Sequence, residues 1–120
     1  MPDKRKVLIT GAAGYIAAQI LPDFRQRYEL VLLDVQDADR EGDRVPGVEV
    51  VDLLETDRSK YCRFFEGVDA VVHLGYKRPC PGGVYGDAVP QIDRFAIELG
   101  NIQMANNVYR VAYDAGVRRL

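Results

Sequence analysis

The stretch ITGAAGYIA (residues 9–17) places Gly11, Gly14 and Ala17 at intervals of three residues, directly after the apolar run KVLI. That run predicts a buried strand over residues 6–10, and the apolar residues after Gly14 recur at helical spacing and predict a helix over 14–27. Pro22 lies inside this helix, where a proline removes a hydrogen bond, and we expect a bend there. A glycine turn between a strand and a helix can hold a pyrophosphate, because the N–H groups of a helix N-terminus favour an anion.

Each small residue of the turn has its own role in such a site. Gly11 permits the tight turn, Gly14 lets the backbone approach the phosphates, and Ala17 keeps the helix close to the strand. Asp34 ends the next predicted strand (30–35), where a carboxylate can accept hydrogen bonds from both hydroxyls of an adenosine ribose. The alternative is a glycine turn that binds nothing. A P-loop is excluded, since no Gly-Lys-Ser/Thr follows the turn.

Strands and helices alternate along the rest of the chain. The pattern predicts strands over 48–52 and 69–74 and helices over 57–66 and 91–116. Thr56 and Gly67 are expected to bound the shorter helix, and Gly116 the longer one. Alternation of this kind predicts parallel strands, so the fold class is α/β, a Rossmann-type doubly wound parallel sheet.

Two segments stand apart from this alternation. Residues 75–90 contain three prolines and four glycines, so we expect a loop, and a loop of this length in a compact domain is usually functional. Residues 117–120 read as the first residues of a fifth strand. We therefore expect one domain, 1–120, that is a fragment or a truncated copy of a larger fold and stops before its fifth strand.

Composition excludes several classes of protein. The chain is 48% hydrophobic and 28% charged with a net charge of −2, and its scattered basic residues argue against nucleic-acid binding. No apolar run approaches the roughly 20 residues of a membrane helix, and the N-terminus lacks the apolar core of a signal peptide. Cys62 and Cys80 form no C-x-x-C pair, which with the missing signal indicates a reducing, cytoplasmic location. No pattern of metal ligands is present, and His73, the single histidine, is expected to be structural.

Four stretches of the chain together point to a family: TGAAGYIA (10–17), VVDLLE (50–55), VDAVVHLG (68–75) and GNIQMANNVYRVAYDAGVRRL (100–120). In this order they resemble motifs of the extended short-chain dehydrogenase/reductases, the NAD-dependent epimerase/dehydratase group. In the last stretch, Asn101 and Asn107 match two asparagines of the family. The glycine spacing, G-x-x-G-x-x-A, is that of this family and differs from the general G-x-G-x-x-G fingerprint.

The resemblance implies NAD as the cofactor and a sugar or sugar acid as the small-molecule substrate of the whole protein, with the uronate dehydrogenases as a similar branch. It puts the adenine near Asp52 and Leu53 and further cofactor contacts at the end of the fourth strand. The candidate cofactor-binding residues are therefore Gly11, Ala13, Gly14, Tyr15, Ile16, Asp34, Asp52, Leu53, Leu74, Gly75, Tyr76 and Gly100.

The predicted helix over 91–116 is apolar on two sides, which suggests burial on two sides. One face holds Ile102, Ala105, Tyr109 and Ala112, and the other holds Met104, Val108, Val111 and Ala115. In the family this helix commonly joins a four-helix bundle across a dimer, so the resemblance implies a homodimer. The alternative is that further C-terminal residues cover the second face within one subunit.

The chain departs from the family pattern at three places. Met104 and Ala105 replace a Gly-Thr pair, and Gly75 and Tyr76 replace Ala-Ala or Ala-Gly. None of the seven tyrosines is followed four residues later by lysine, so the catalytic Tyr-x-x-x-Lys is absent. In the family this pair lies beyond the point where this chain stops, so no catalytic residue is assigned and we expect the catalytic and substrate-binding part to be missing from this domain. Two functions stay open: the NAD-binding portion of an epimerase, dehydratase or sugar dehydrogenase, and a non-catalytic module that senses a nucleotide.

Overall fold

The computed structural model describes residues 4–77 and 91–120, with only the backbone of 91–93. Regular structure follows the predicted alternation of strands and helices. The elements are β1 (Lys6–Thr10), α1 (Tyr15–Arg27), β2 (Glu29–Asp34), β3 (Val48–Val50), β4 (Ala70–His73) and α2 (Gln91–Asp114). No helix in this described part of the chain combines the length and the apolarity needed to cross a bilayer.

The four strands form one parallel sheet in the order β3-β2-β1-β4. β1 is central, pairing Leu8 with Val31 of β2 on one side and with Val71 of β4 on the other. Strand order changes direction at β1, so the carboxyl ends of β1 and β4 lie at the point where ligands bind in open α/β sheets. The predicted α/β, Rossmann-type fold class is confirmed.

Alternate residues of β1 point to opposite faces of the sheet, and each face has its own hydrophobic core. Val7 and Ile9 pack with Ala17 and Leu21 of α1 in one core. Leu8 belongs to the other core, which contains the side chains that α2 turns toward the sheet, Met104, Val108, Val111 and Ala112. The two helices therefore cover opposite faces of the sheet.

The predicted helix over 57–66 is wrong in type and in its cap. Two short 3₁₀ segments, Arg58–Lys60 and Cys62–Phe65, occupy this stretch, and Asp57 rather than Thr56 caps the first by accepting from the Ser59 N–H. Tyr61 separates the two segments because its ring is fully buried in the core and its hydroxyl donates to the Glu55 carbonyl. The packing of Tyr61 thus interrupts the helix that local propensity favours over residues 57–66.

Other boundaries shift by one or two residues. β3 ends at Val50 rather than at residue 52, because the Asp52 carboxylate accepts the Leu54 N–H at 2.9 Å and turns the chain. α1 continues through Pro22 to Arg27, and the expected bend there stays a prediction. The expected loop over 75–90 lies outside the described residues from 78 onward.

The end of α2 brings the chain back beside β4. Gly116 adopts a φ of 79°, and the Val117 N–H donates to the Ala112 carbonyl at 2.9 Å, which closes the helix as predicted. Arg119 then forms a parallel bridge with Ala70, with its carbonyl accepting the Val71 N–H at 2.9 Å. The residues predicted to begin a fifth strand therefore pair with β4.

Candidate cofactor-binding site

The turn after β1 can be built only with glycine at position 11. Gly11 has a φ of 67°, and a Cβ there would lie 2.7 Å from the carbonyl carbon of Leu74. Gly14 follows as the residue that precedes α1, with its N–H donating to the Gly11 carbonyl at 3.0 Å. Gly14 has no side chain to cap the helix, so the first N–H groups of α1 are left for an anion.

Asp34 is tied directly to this turn. Its Oδ2 accepts the Ala13 N–H at 2.9 Å, and its Oδ1 accepts the Val35 N–H at 2.6 Å. Each carboxylate oxygen can accept a second hydrogen bond. A carboxylate held beside the glycine turn with one acceptor position left on each oxygen has the chemistry needed to bind two neighbouring hydroxyls.

The start of α1 and the loop after β2 meet above the turn. Tyr15 and Ile16 are both 59% exposed, at the first turn of α1. The Arg40 guanidinium lies 5.1 Å from the centroid of the Tyr15 ring, in the range of a cation–π contact. The loop after β2 therefore reaches the glycine turn. The sequence analysis did not predict this contact between Arg40 and Tyr15, because Arg40 is separated from Asp34 in sequence.

Asp52 and Leu53 lie beyond the end of β3 and differ in exposure. Asp52 is exposed and accepts the Leu54 N–H, whereas the Leu53 side chain is 5% exposed in the core beneath α2. The carbonyl of Leu53 accepts a hydrogen bond from Nδ2 of the buried Asn107 at 2.8 Å. Leu53 therefore anchors this corner to α2, and of the two side chains only that of Asp52 faces solvent.

The end of β4 meets the glycine turn through Thr10, a residue that the sequence reasoning missed. The hydroxyl of the fully buried Thr10 contacts Nδ1 of His73 at 2.6 Å and the N–H groups of Leu74 and Gly75 at 3.0 Å each. Burial lowers the pKa of His73, which favours a neutral ring. The signal that could have identified Thr10 in the sequence is its polarity, because it ends an otherwise apolar run of the strand.

Residues after β4 are held by α2. Asn101 accepts the Lys77 N–H at 2.7 Å and donates to the Lys77 carbonyl at 2.9 Å. The Tyr76 hydroxyl bonds to Glu98, one turn earlier on α2. Gly100 lies on the same helix but faces Leu54, whose Cδ2 would be 3.6 Å from an added Cβ. The structure thus joins Tyr76 to the helix, while Gly100 lies by the segment after β3.

Five of the predicted residues form two groups at the carboxyl edge of the sheet. Gly11, Ala13 and Asp34 are in direct contact with one another or with the end of β4. Asp52 and Gly100 lie toward the β3 corner. Within 4–77 and 91–120, no three His, Cys, Asp or Glu side chains converge as a metal site would require.

A curated relative matches most of the chain. The NAD-dependent glucose-6-phosphate dehydrogenase of Haloferax volcanii is 30% identical over 115 residues, which cover 94% of this chain and 40% of the relative. The chain therefore spans about two fifths of the length of this relative.

Solved structures of dehydrogenases and epimerases share the fold. The structure of a mutated uronate dehydrogenase matches with 26% identity and a TM-score of 0.66, covering 96% of this chain and 37% of that one. A uronate dehydrogenase variant from Agrobacterium tumefaciens in complex with NAD matches with 26% identity and a TM-score of 0.63, covering 94% of this chain and 38% of that one. A UDP-glucose-4-epimerase from Stenotrophomonas maltophila with bound NAD, 22% identical with a TM-score of 0.71 and covering 95% and 35% of the two chains, supports the fold alone.

The family assignment covers nearly the whole sequence. The profile of the NAD dependent epimerase/dehydratase family matches residues 7–120, which include the glycine turn, Asp34, Asp52 and both ends of α2. NAD, the cofactor expected from the sequence, is the cofactor after which this family is named. The chain belongs to the NAD dependent epimerase/dehydratase family.

Proposed function

We propose that this chain is the NAD-binding portion of a sugar or sugar-acid dehydrogenase, or of an epimerase or dehydratase acting on a sugar. One observation carries the proposal: the Asp34 carboxylate accepts the Ala13 N–H at 2.9 Å. Through this contact, a carboxylate suited to ribose hydroxyls adjoins a turn suited to pyrophosphate, and in an adenosine diphosphate the ribose likewise adjoins the diphosphate.

The residues present fit the ADP part of NAD. Gly14 precedes α1 and makes no side-chain cap hydrogen bond, so the first N–H groups of the helix are available to a phosphate. Asp34 accepts from the ribose, and Asp52 is the exposed acceptor at the corner where we expect the adenine. NAD, when bound, supplies a hydride acceptor or donor, and the residues named here bind and orient it.

The substrate class rests on relatives. The curated relative is named for glucose 6-phosphate and two of the matched structures for uronate, so a sugar or sugar acid is the substrate we propose for the whole protein. A second candidate is a non-catalytic nucleotide sensor, because the Tyr-x-x-x-Lys pair that would distinguish an enzyme does not lie within these 120 residues. Both candidates use the same NAD site, and turnover of a sugar acid with NAD by the whole protein separates them.

We also propose a homodimer through the helix over 91–116. On α2, the exposed residues Phe95, Leu99, Ile102, Tyr109 and Tyr113 recur at helical spacing along one side, with exposed fractions between 45% and 78%. The stripe lies on the side of the helix away from Met104, Val108 and Val111, which pack in the core. The stripe is long enough to pack against the same helix of a second copy.

The experiment that tests NAD binding compares two aspartates. Asp34→Ala removes the carboxylate beside the turn, and loss of a charged hydrogen bond costs about 1.5–3 kcal/mol, so the affinity for NAD should fall by about one to two orders of magnitude. Asp23→Ala, an exposed position on α1, removes the same charge and should leave the affinity unchanged. Calorimetric titration with NAD and NADP measures both.

The same titration tests cofactor choice. A carboxylate accepts from a free 2′-hydroxyl and repels a 2′-phosphate, so the unaltered chain should bind NAD more tightly than NADP. NADP binding as tight as NAD binding, or equal effects of the two alanine variants, would contradict the assignment of Asp34.

A further inference from the structure

The Thr10 hydroxyl links Thr10 to three residues at the end of β4, within the proposed site. Thr10 ends β1 and is fully buried. Its Oγ1 lies 2.6 Å from Nδ1 of His73 and 3.0 Å from each of the backbone nitrogens of Leu74 and Gly75. A single side-chain oxygen therefore connects the last residue of β1 to three consecutive residues at the end of β4.

Counting protons decides the direction of these hydrogen bonds. A hydroxyl has one proton to donate and two lone pairs to accept with. Backbone N–H groups can only donate, so Gly75 and Leu74, whose N–H also donates to the Thr10 carbonyl at 3.2 Å, occupy both lone pairs of Oγ1. The hydroxyl proton is left for His73, and the other described residues offer Oγ1 no further hydrogen-bond partner. Thr10 therefore donates to Nδ1 of His73, which must be unprotonated.

This bond selects one form of the histidine. With Nδ1 accepting, the ring proton of a neutral imidazole lies on Nε2. The burial that lowers the pKa of His73 disfavours the doubly protonated form, whose Nδ1–H would have no lone pair of Oγ1 to bind. Geometry and burial agree on a neutral ring that carries its proton on Nε2.

The residues that Thr10 holds are those against which the glycine turn packs. A Cβ on Gly11 would lie 2.7 Å from the Leu74 carbonyl carbon and 2.8 Å from the Gly75 nitrogen, so Gly11 touches this stretch of backbone directly. A shift of the Leu74–Gly75 backbone would therefore move the turn. In a buried setting, loss of the Thr10 oxygen would also leave the Gly75 N–H without its acceptor, at a cost comparable to a lost hydrogen bond.

We propose that Thr10 and His73 are positioning residues of the cofactor site. His73, protonated on Nε2, fixes the rotation of the Thr10 hydroxyl by accepting its proton. The hydroxyl in turn holds the Leu74 and Gly75 N–H groups, so that the end of β4 supports the Gly11 turn. The geometry stands without a ligand, and only its consequence for affinity rests on the proposed NAD function.

The ring proton can be read directly, because His73 is the single histidine of the chain. Two-bond and three-bond proton–nitrogen correlation spectra of the chain labelled with ¹⁵N-histidine distinguish the protonated ring nitrogen from the unprotonated one. We expect two widely separated nitrogen resonances, with the proton assigned to Nε2. A proton on Nδ1, or averaged resonances from exchanging tautomers, would overturn the proposal whether or not the chain binds NAD.

Two pairs of variants test the effect on the site. Thr10→Val keeps the shape of the side chain and removes the hydroxyl, whereas Thr10→Ser keeps the hydroxyl. His73→Phe keeps a ring without an acceptor, whereas His73→Asn offers an acceptor oxygen close to the position of Nδ1. We expect Thr10→Val and His73→Phe to weaken NAD about tenfold or more, and the serine and asparagine variants to recover most of that affinity.

The outcomes separate this proposal from the proposed function. If the unaltered chain binds NAD and all four variants bind it equally, the positioning role is wrong and the NAD site stands. If the unaltered chain binds no NAD, the function is wrong, and the tautomer spectrum still decides the hydrogen-bond network. Far-ultraviolet circular dichroism shows which variants fold, and should Thr10→Val fail to fold, the spectrum and the His73 pair give the result.

Discussion

Gly14 and Ala17, both small residues of the opening motif, are small for different reasons. Gly14 has an ordinary φ of −85° at the start of α1, and only the Gly11 carbonyl oxygen would lie close to an added Cβ. Ala17 is fully buried in the core between α1 and the sheet. The first position limits what can approach the helix N-terminus, and the second limits how closely helix and sheet can pack.

Valine at position 14 should therefore affect NAD binding, whereas valine at position 17 should affect stability. Gly14→Val should abolish NAD binding and leave most of the stability intact, because the branched side chain would occupy the space of the pyrophosphate. Ala17→Val should instead lower the free energy of unfolding by about 1–3 kcal/mol, the usual effect of added volume in a packed core. Calorimetric titration and urea unfolding of both variants measure the two effects. Normal NAD binding by Gly14→Val would show that the pyrophosphate lies elsewhere.

At the scale of elements, α2 and β4 fit together through two of the departures from the family pattern. A Cβ at Gly75 would lie 3.1 Å from the Met104 Sδ and 3.3 Å from the Thr10 Oγ1. Met104 stands where the family pattern has glycine, and Gly75 stands where it has alanine. We therefore expect the two departures to compensate in volume, because the thioether of α2 lies next to the glycine after β4.

A double-mutant cycle tests this compensation. Gly75→Ala should destabilise the unaltered chain, since the new methyl group forces the Met104 side chain to move. In the Met104→Ala background the same change should cost less, with a coupling of at least about 0.5 kcal/mol. Val111→Ala, a buried position two turns further along α2, is the control, and its effect should add to that of Gly75→Ala. Additivity in both cycles would show that Gly75 and Met104 do not compensate.

At the scale of the whole molecule, α2 has more apolar surface than this chain covers. Met104, Val108 and Val111 pack on the sheet, while the stripe from Phe95 to Tyr113 stays exposed. Of the face expected from the sequence to carry Ile102, Ala105, Tyr109 and Ala112, Ala112 is buried, whereas Ile102 and Tyr109 are exposed. Exposed apolar patches of this kind drive association.

The chain should therefore self-associate through this stripe. Ile102→Glu, in the middle of the stripe, should shift the population toward monomer, because a carboxylate would be buried without a partner. Gln103→Glu adds the same charge at the neighbouring exposed position and should change the assembly little. Light scattering over a dilution series measures the mass of each. A monomer at every concentration, or equal masses for the two variants, would contradict packing through this face.

The sequence by itself determined the strand, turn and helix around residues 6–27 and the α/β class. These features depend on neighbours in the chain, namely apolar periodicity, the glycine spacing and the carboxylate at the end of the next strand. Local patterns were insufficient at residues 57–66, where Tyr61 enters the core and interrupts a helix that propensity favoured. There the free energy of burial outweighed a weak local preference.

Only the tertiary structure decided which distant residues complete the site. Thr10 and His73 are separated by 63 positions, and Lys77 and Asn101 by 24, so no local pattern relates them. Their contacts arise because parallel strands and the helix over them bring the carboxyl end of β1, the end of β4 and α2 to one edge of the sheet. A hydroxyl buried at that edge must satisfy its hydrogen bonds within the protein, and this requirement selects the partners.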